Sequence, residues 1–380
     1  MPMSDATRAP IDGPPSASTH TFLATFGVLL GLIAAFLALD FALANIERNE
    51  TRRHAADVYA EGIALLAAGR ASDAADRLAT AVSLQRDNVP YALAHAQAIL
   101  AEGRVTDAEQ SLNELLVRAQ NDGQVNLTMA RLLSTSGRRD EAKAFYHRAI
   151  YGQWGADSAS ERLAARFELI DVLVRENART ELLAELLPLQ SAPSESTTFL
   201  VRVAPLYLRA NSPARAADAY RQLIARTPGD ANAYTGLGEA ALALGQFPTA
   251  HTAFALAVRQ RPSDSALASR LRLVDTLLAL DPNAHGVGDA VRLERHRALL
   301  ARTVASLDAC SAAGIPAAAQ AARDSARAEL LSSRHGNAVA SNDRALALAR
   351  TLWRERPTSC AANGGRGGEV LTRLLGNTAR

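Results

Sequence analysis

Aromatic residues and cysteines are scarce in this sequence, and their scarcity limits how its core can be built. Phe, Tyr and Trp make up 5% of the 380 residues, although 48% of the residues are apolar. Such a core consists mainly of Ala and Leu, which suits closely packed helices. The two cysteines, Cys310 and Cys360, are too few for a cysteine-based zinc cluster.

An excess of one charge and the short motifs of catalytic sites are also missing. Lys and Arg number 41 and Asp and Glu 39, a formal net charge of +2, so no nucleic-acid partner is expected. The eight histidines form neither H-E-x-x-H nor C-x-x-C-H, and no Lys-Ser/Thr follows Gly364–Gly368 as a P-loop requires. We therefore predict no metal, no cofactor and no enzymatic activity, although a triad assembled from distant residues stays open.

The N-terminal region contains a long run without charge. Residues 1–20 are rich in Pro, Ser, Thr and Ala and are predicted to be a disordered tail. The nineteen residues Thr21–Leu39 are uncharged. As a helix they span about 28 Å, close to the hydrocarbon thickness of a bilayer. This length favours a transmembrane helix over 21–44 that acts as a signal anchor, and the alternative is a signal peptide cleaved at the A-x-A site Ala42–Ala44.

Small residues recur within this apolar run. Gly27 and Gly31 form a G-x-x-x-G motif, which lets two membrane helices approach closely. The motif predicts a homodimer through Gly27 and Gly31. The alternative is that these glycines only reflect the high frequency of glycine in membrane helices.

A 34-residue period begins after the apolar run. It divides the chain into six segments, near 55–88, 89–122, 123–156, 163–196, 197–230 and 231–264, with six residues inserted around Trp154–Ser160. Each segment is predicted to form two helices joined by a turn, because one position always holds Gly or Asn, which readily adopt the left-handed conformation that ends a helix. That position is filled by Gly69, Gly103, Gly137, Asn177, Asn211 and Gly245.

The last of the six segments matches the pattern W-x2-L-G-x2-Y…A-x3-F…P at most positions. The matching residues are Tyr234, Leu237, Gly238, Ala250, Phe254 and Pro262. The sequence therefore resembles a bacterial tetratricopeptide repeat (TPR) protein over about 55–280, here with an N-terminal membrane anchor. The resemblance implies an all-α fold: a right-handed TPR superhelix of about six helix-turn-helix repeats, closed by a capping helix at Ser265–Leu280.

The period ends after the predicted capping helix. Apolar residues at helical spacing predict a C-terminal three-helix module over 289–356, and residues 361–380 are predicted to be a flexible tail. In such a module Cys310 and Cys360 lie at the same end, within reach of a disulfide. In the loop-entropy model, closing this loop stabilises a protein by about 4 kcal/mol. The alternative is two unpaired thiols.

The resemblance also implies a concave groove lined by the first helix of each repeat. Its fifth and ninth repeat positions give the predicted peptide-binding residues, which are Tyr59, Leu93, Gln97, Leu127, Arg131, Phe167, Val201, Thr235 and Glu239. The remaining ninth positions hold Ile63, Asp171 and Pro205. The carboxylate clamp of chaperone-binding TPR domains is not expected, because its Lys and Asn are absent. Mostly apolar fifth positions predict a groove for an apolar peptide or an amphipathic helix, and the alternative is that these side chains pack against adjacent helices.

By this resemblance the protein is predicted to be a membrane-anchored scaffold for protein–protein interaction, in assembly or quality control of a bacterial envelope complex. Its partners are a protein or peptide ligand in the groove and the membrane, which it meets through residues 21–44. The alternatives are an enzyme or regulatory protein with its site in the C-terminal module, and a helical-repeat RNA binder.

Two signals conflict on the side of the inner membrane at which the repeats lie. Arg48, Arg52 and Arg53 follow the apolar run and Arg8 alone precedes it, so the positive-inside rule favours the cytoplasm. A disulfide instead favours an oxidising compartment. We predict a single-pass protein of the bacterial inner membrane with a periplasmic repeat domain, and the cytoplasm is the alternative.

Overall fold

The computed structural model describes residues 17–155, 158–190, 196–309, 315–332, 338–356 and 365–376. These residues form seventeen α-helices, one short 3₁₀ helix at Leu187–Gln190 and no strand, so the all-α prediction is confirmed for them. The helices are α1 (Ala17–Ala67), α2 (Ala71–Leu84), α3 (Val89–Ala101), α4 (Val105–Arg118), α5 (Gly123–Thr135), α6 (Arg139–Tyr151), α7 (Ala159–Arg175), α8 (Arg179–Leu186), α9 (Thr197–Arg209), α10 (Pro213–Arg226), α11 (Ala231–Ala243), α12 (Phe247–Gln260), α13 (Ser265–Leu280), α14 (Asp289–Asp308), α15 (Ala317–Leu331), α16 (Ala338–Glu355) and α17 (Gly365–Leu375).

The chain divides into two compact units. Unit 1 extends to Val172 and unit 2 begins at Leu173, so the boundary falls within α7. That helix opens the fourth repeat, in which Ile170 and Leu182 stand where the other repeats mostly have small residues. The sequence predicted no boundary here, and the predicted domain limits at 280 and 289 stay predictions.

All six predicted turns adopt the left-handed conformation. The six Gly and Asn residues of the turn column have φ between 53° and 89°. At Gly103 the backbone N–H donates to the carbonyl of Leu100 at 3.0 Å, and the next N–H, of Arg104, donates to Ile99 at 3.2 Å. The same pair of bonds closes the other five turns. This is the Schellman ending of a helix, and it lets the second helix begin immediately.

The insertion after the third repeat packs back onto unit 1. Gln153 forms an isolated β-bridge with Asp122, and the Trp154 indole donates to the carbonyl of Ala149 at 2.7 Å. The indole also lies so close to Gly123 that a Cβ atom there would meet it at 2.2 Å. The loop is therefore held against the start of α5.

Helix α1 joins the apolar run and the first repeat without interruption. It is 51 residues long, which corresponds to about 75 Å, whereas the sequence predicted separate segments at 21–44 and from 55. Within Ala24–Ala67 an 18-residue window has mean hydropathy 2.4, and none of that window is buried. By length and composition this part of α1 could cross a membrane, and a signal sequence would show the same properties.

The C-terminal module contains the three predicted helices, α14 to α16, and also α17. The sequence predicted a flexible tail over 361–380, and this prediction is wrong for 365–375. Val370, Leu371, Leu374 and Leu375 lie on one face of α17 and are at most 7% exposed, because they enter an apolar cluster with α11–α16. Cys310, Cys360 and the ends of the predicted tail lie outside the described residues.

Candidate peptide-binding groove

Three of the predicted groove residues are buried within unit 1. Leu93, Leu127 and Phe167 are 6%, 5% and 4% exposed. Side chains covered to this extent contact neighbouring helices and have little surface to offer a peptide. At these three positions the structure favours the packing alternative over direct contact with a ligand.

Polar residues at the ninth repeat position pair with the first helix of the next repeat. The Gln97 amide donates to the Thr128 hydroxyl at 3.2 Å, from α3 to α5. The Glu239 carboxylate lies 2.8 Å from Nε of Arg270, which joins α11 to α13. Together with the pair of Arg131 and Glu168, these contacts are called the polar ladder below.

Arg131 makes a two-pronged contact in this ladder. Its Nε and Nη2 atoms donate to the two carboxylate oxygens of Glu168 at 2.9 and 2.7 Å, and the Tyr146 hydroxyl lies 3.3 Å from the same carboxylate. The hydrogen bonds to Glu168 raise the pKa of Arg131 above its ordinary value. Because the Arg131 side chain is 50% exposed, this contact between α5 and α7 is expected to contribute little to stability.

Tyr59 and Thr235 are half-buried and also have partners. The ring of Tyr59 stacks on that of Tyr91 with 4.6 Å between ring centroids, and this contact joins α1 to α3. The Thr235 hydroxyl donates to the carbonyl of Ala231 in its own helix at 2.7 Å. Neither residue therefore stands alone on the first-helix surface.

Exposed apolar side chains on the predicted first-helix surface are few among the described residues. Val201 on α9 is 51% exposed, and Ile63 on α1 is 36% exposed. For comparison, Val117 on α4, a second helix, is 85% exposed. The first-helix surface therefore combines separate exposed apolar side chains with the polar ladder.

Three charged residues, Arg270, Glu369 and Arg373, form a network with Glu239 in unit 2. Arg270 bridges the carboxylates of Glu239 and Glu369, and Arg373 lies 2.9 Å from Glu369. Arg373 also donates to the carbonyl of Leu242 at 3.3 Å. Burial raises the pKa of Glu239, and the nearby guanidinium groups of Arg270 and Arg373 oppose this effect without cancelling it.

The glycines of the last repeat serve packing. A Cβ atom at Gly236 would meet the ring of Tyr220 at 2.0 Å, and one at Gly238 would meet the ring of Phe254 at 2.8 Å. Both glycines lie inside α11 and are buried, whereas a dinucleotide-binding glycine motif lies between a strand and a helix. Their spacing therefore reflects close helix packing.

His296 is the buried histidine of the C-terminal module. Its side chain lies between two backbone carbonyls, with Nδ1 3.0 Å from Asn342 O and Nε2 3.4 Å from Pro282 O. It is 3% exposed, so it faces no open cleft. Within the described residues, no three His, Cys, Asp or Glu side chains are placed to hold a metal ion. These observations do not favour the alternative of an enzyme with its site in this module.

The polar ladder is the feature that sequence reasoning missed. Its second members, Thr128, Glu168 and Arg270, occupy the sixth repeat position, which was not considered as part of the groove. The signal was available, because Gln97 and Thr128 are 31 residues apart, as are Glu239 and Arg270. The pair of Arg131 and Glu168 is 37 apart, which is 31 plus the six inserted residues.

Comparison with known families and proteins bears on the fold. The family model "Tetratricopeptide repeat" matches residues 59–123 and 203–265, one stretch in each unit. These two stretches are therefore similar to tetratricopeptide repeats. No curated protein matches the sequence.

Several solved structures are similar to the chain at low sequence identity and low TM-score. The TPR protein YrrB, described as having an unusual peptide-binding site, is 15% identical and covers 52% of this chain and 98% of its own, with a TM-score of 0.41. PilF of Pseudomonas aeruginosa is 16% identical, with coverages of 59% and 98% and a TM-score of 0.39. PilW, a type IV pilus biogenesis factor, is 15% identical, with coverages of 57% and 98% and a TM-score of 0.36. Likeness of this degree carries no argument about function.

Proposed function

We propose that the protein is a membrane-anchored TPR scaffold that binds a segment of another protein on its first-helix surface. The observation that carries the proposal is helix α1, which joins an exposed apolar stretch directly to the first repeat. No Gly or Pro occurs from Leu32 to Glu61, so nothing in the sequence favours a break between the two. The repeats are then carried on the same rigid element that enters the bilayer.

The exposure of this stretch supports the membrane anchor. Phe26, Leu30, Phe36 and Leu39 are each more than half exposed, and their neighbours are similarly uncovered. A soluble surface rarely carries so large a continuous apolar area, whereas the hydrocarbon core of a bilayer would cover it. The length of the apolar run favours an anchor over a signal peptide cleaved at the A-x-A site Ala42–Ala44.

The chemistry of the surface favours a partner segment that is both apolar and polar. In unit 1, Ile63 offers an apolar contact and the pair of Arg131 and Glu168 offers a polar one, and in unit 2, Val201 offers an apolar contact. An amphipathic helix or an extended peptide with alternating character fits such a surface. The envelope role follows from the anchor, and an assembly or quality-control complex is the proposed setting.

The side of the membrane is proposed to be the periplasm, with Cys310 bonded to Cys360. Thiol labelling of intact cells, with and without reductant, tests this. Labelling that appears only after reduction supports the proposal. Cysteines that react without reductant, and only after lysis, would place the domain in the cytoplasm.

Site-specific photo-crosslinking in native membranes tests the binding surface. A photoreactive amino acid replaces Val201 in one version of the full chain and Val117 in a matched control, since both are exposed valines but lie on a first and a second helix. A discrete adduct from position 201 and none from position 117 supports the proposal. Equal adducts from both positions, or none from 201, would contradict it.

A further inference from the structure

The C-terminal helix α17 lies against the end of the TPR array in unit 2. It contacts α13, the helix that follows the last repeat, as well as α14 and α16. Its charged residues reach α11 as well, because Arg373 donates to the carbonyl of Leu242, and Glu369 shares Arg270 with Glu239. Glu239 is the ninth position of repeat six and one of the predicted groove residues, and Leu242 lies three residues later in the same helix.

The docked face of α17 is that of an amphipathic helix ligand. Val370, Leu371, Leu374 and Leu375 are 2–7% exposed and belong to one apolar cluster with Leu242, Phe254 and Leu273. At the edge of this face Glu369 pairs with Arg270, and Arg373 pairs with Glu369. Thr372 points away and is exposed. In sequence order from Glu369 to Leu375, the helix that this surface binds has an acidic residue, two apolar residues, one exposed residue, a basic residue and two more apolar residues.

Helix α17 is a weak element by its own sequence. It has eleven residues, and three of its first four residues are glycines, which disfavour a helix. These are Gly365, Gly367 and Gly368. So short a helix is not stable alone in water, and α17 therefore depends on its docking surface.

From these observations we infer that α17 is an intramolecular ligand of the first-helix surface at repeat six, and that an amphipathic helix of a partner protein with the same residue order displaces it. The inference rests on the proposed function, because it specifies the ligand class of the same surface. In the resting protein α17 covers this end of the array. A partner helix must compete with a tethered ligand, so its apparent affinity is lowered until α17 leaves.

A peptide of residues 365–376 added to the full-length protein in detergent micelles tests the inference. In the variant Leu371→Asp with Leu374→Asp, two carboxylates oppose burial, and α17 is expected to undock. This variant should bind the labelled peptide at least about tenfold more tightly than the wild-type protein, because a tethered competitor has a high effective concentration. Thr372→Asp adds a charge at the exposed position and should bind as weakly as the wild type.

One further protein variant and one variant peptide complete the binding assay. Arg373→Ala removes the bonds to Glu369 and to Leu242 without placing a charge in the core, and its affinity for the peptide should fall between the other two. A peptide carrying Leu371→Asp should not bind any version. The inference is overturned if the double variant binds no better than the wild type, or if both undocking variants lose the helical signal and cooperative melting of the array, since α17 would then be part of the core.

The peptide assay and the crosslinking experiment can fail independently of each other. The probe is the protein's own helix, so the peptide assay requires no external partner. Failure of Val201 crosslinking with success of the peptide assay would leave the surface as a site for α17 alone. Success of crosslinking with failure of the peptide assay would retain the scaffold and remove the displaceable helix.

Discussion

Unit 1 and unit 2 end their first helices with the same backbone geometry but continue with different side chains. In unit 1 each turn glycine is followed by an Arg that pairs with an acid three residues later, and these pairs are Arg70 with Asp73, Arg104 with Asp107 and Arg138 with Glu141. In unit 2 the same position holds Ala178, Ser212 and Gln246. The positive φ is thus shared by all repeats, and the ion pair after it is not needed for the turn.

The first-helix surface also differs between the units. In unit 1 the fifth positions at Leu93 and Leu127 are buried, whereas in unit 2 Val201 at the same position is half exposed. Unit 2 in addition carries its own helix α17 beside Glu239. A repeat position therefore does not determine by itself whether a residue packs or binds, because the neighbouring helix decides how much of it is covered.

The largest expected contrast comes from one charge placed at the fifth position in each unit. Leu127→Asp buries a carboxylate and leaves a poorly filled space, so unit 1 should lose at least about 3 kcal/mol of stability. Val201→Asp should change stability by less than about 0.5 kcal/mol, because it is a surface substitution, and should abolish partner capture. Chemical denaturation of the full chain checks both, and equal stabilities would remove the distinction between the two positions.

An extra methyl group at the eighth repeat position should also destabilise the two units to different extents. Gly238→Ala pushes against the ring of Phe254, which is fully buried, and should cost about 1–3 kcal/mol. Gly62→Ala would bring a Cβ atom within 2.6 Å of Cγ of Leu78, which is also fully buried, but a Leu side chain adjusts its χ angles more readily than a phenyl ring moves. The loss at Gly62 should therefore be the smaller of the two in thermal melts. The reverse order would show that Leu78 is the more rigid neighbour.

Exchanging the turn residues between units should have a smaller effect. Gly103→Asn introduces into unit 1 the residue found at Asn211 of unit 2 and should be tolerated, since Asn visits the left-handed region. Gly103→Ala should cost about 1–2 kcal/mol, because its Cβ disfavours that region. The difference between the two variants in urea unfolding is the measurement. Equal costs for Asn and Ala would mean that the turn does not require positive φ.

The smallest expected effect is a pH dependence at Glu239 in unit 2. Burial raises the pKa of this carboxyl in the folded protein above its unfolded value, so folding is favoured at low pH and this contribution is lost as pH rises through the folded pKa. Relative to Glu239→Gln, the melting temperature of the wild type should therefore rise as pH falls from about 7 to about 4. A constant difference between the two proteins across this range would contradict the assignment.

Local backbone rules explain what could be predicted from sequence. The six turns followed from Gly and Asn at a fixed period, because positive φ is a local requirement. The continuity of α1 was also visible, since Gly and Pro are absent from Leu32 to Glu61, but the change from apolar to charged residues suggested two elements. Burial at Leu93 was not predictable in this way, because it depends on the helix packed beside it.

Helix α17 is a second feature that local sequence does not predict, because it depends on the surface packed beside it. Its glycines favour a flexible tail, and only the complementary surface of α13, with Arg270 and the apolar cluster, makes the helix stable. Of the predicted site, Gln97, Arg131 and Glu239 do lie at inter-repeat contacts, but their partners one helix away were overlooked. Contacts between elements were therefore harder to predict than the elements themselves.

The central claim is that the repeats are held at a membrane by an intact helix α1, and the mass of the mature protein tests it most directly. Membranes from cells that make the full chain are washed with alkaline carbonate, and the protein is purified from each fraction for intact-mass measurement. The account predicts a chain of 40.2 kDa, apart from N-terminal processing upstream of α1, that remains in the washed membranes. A soluble chain that begins after Ala44 would contradict it.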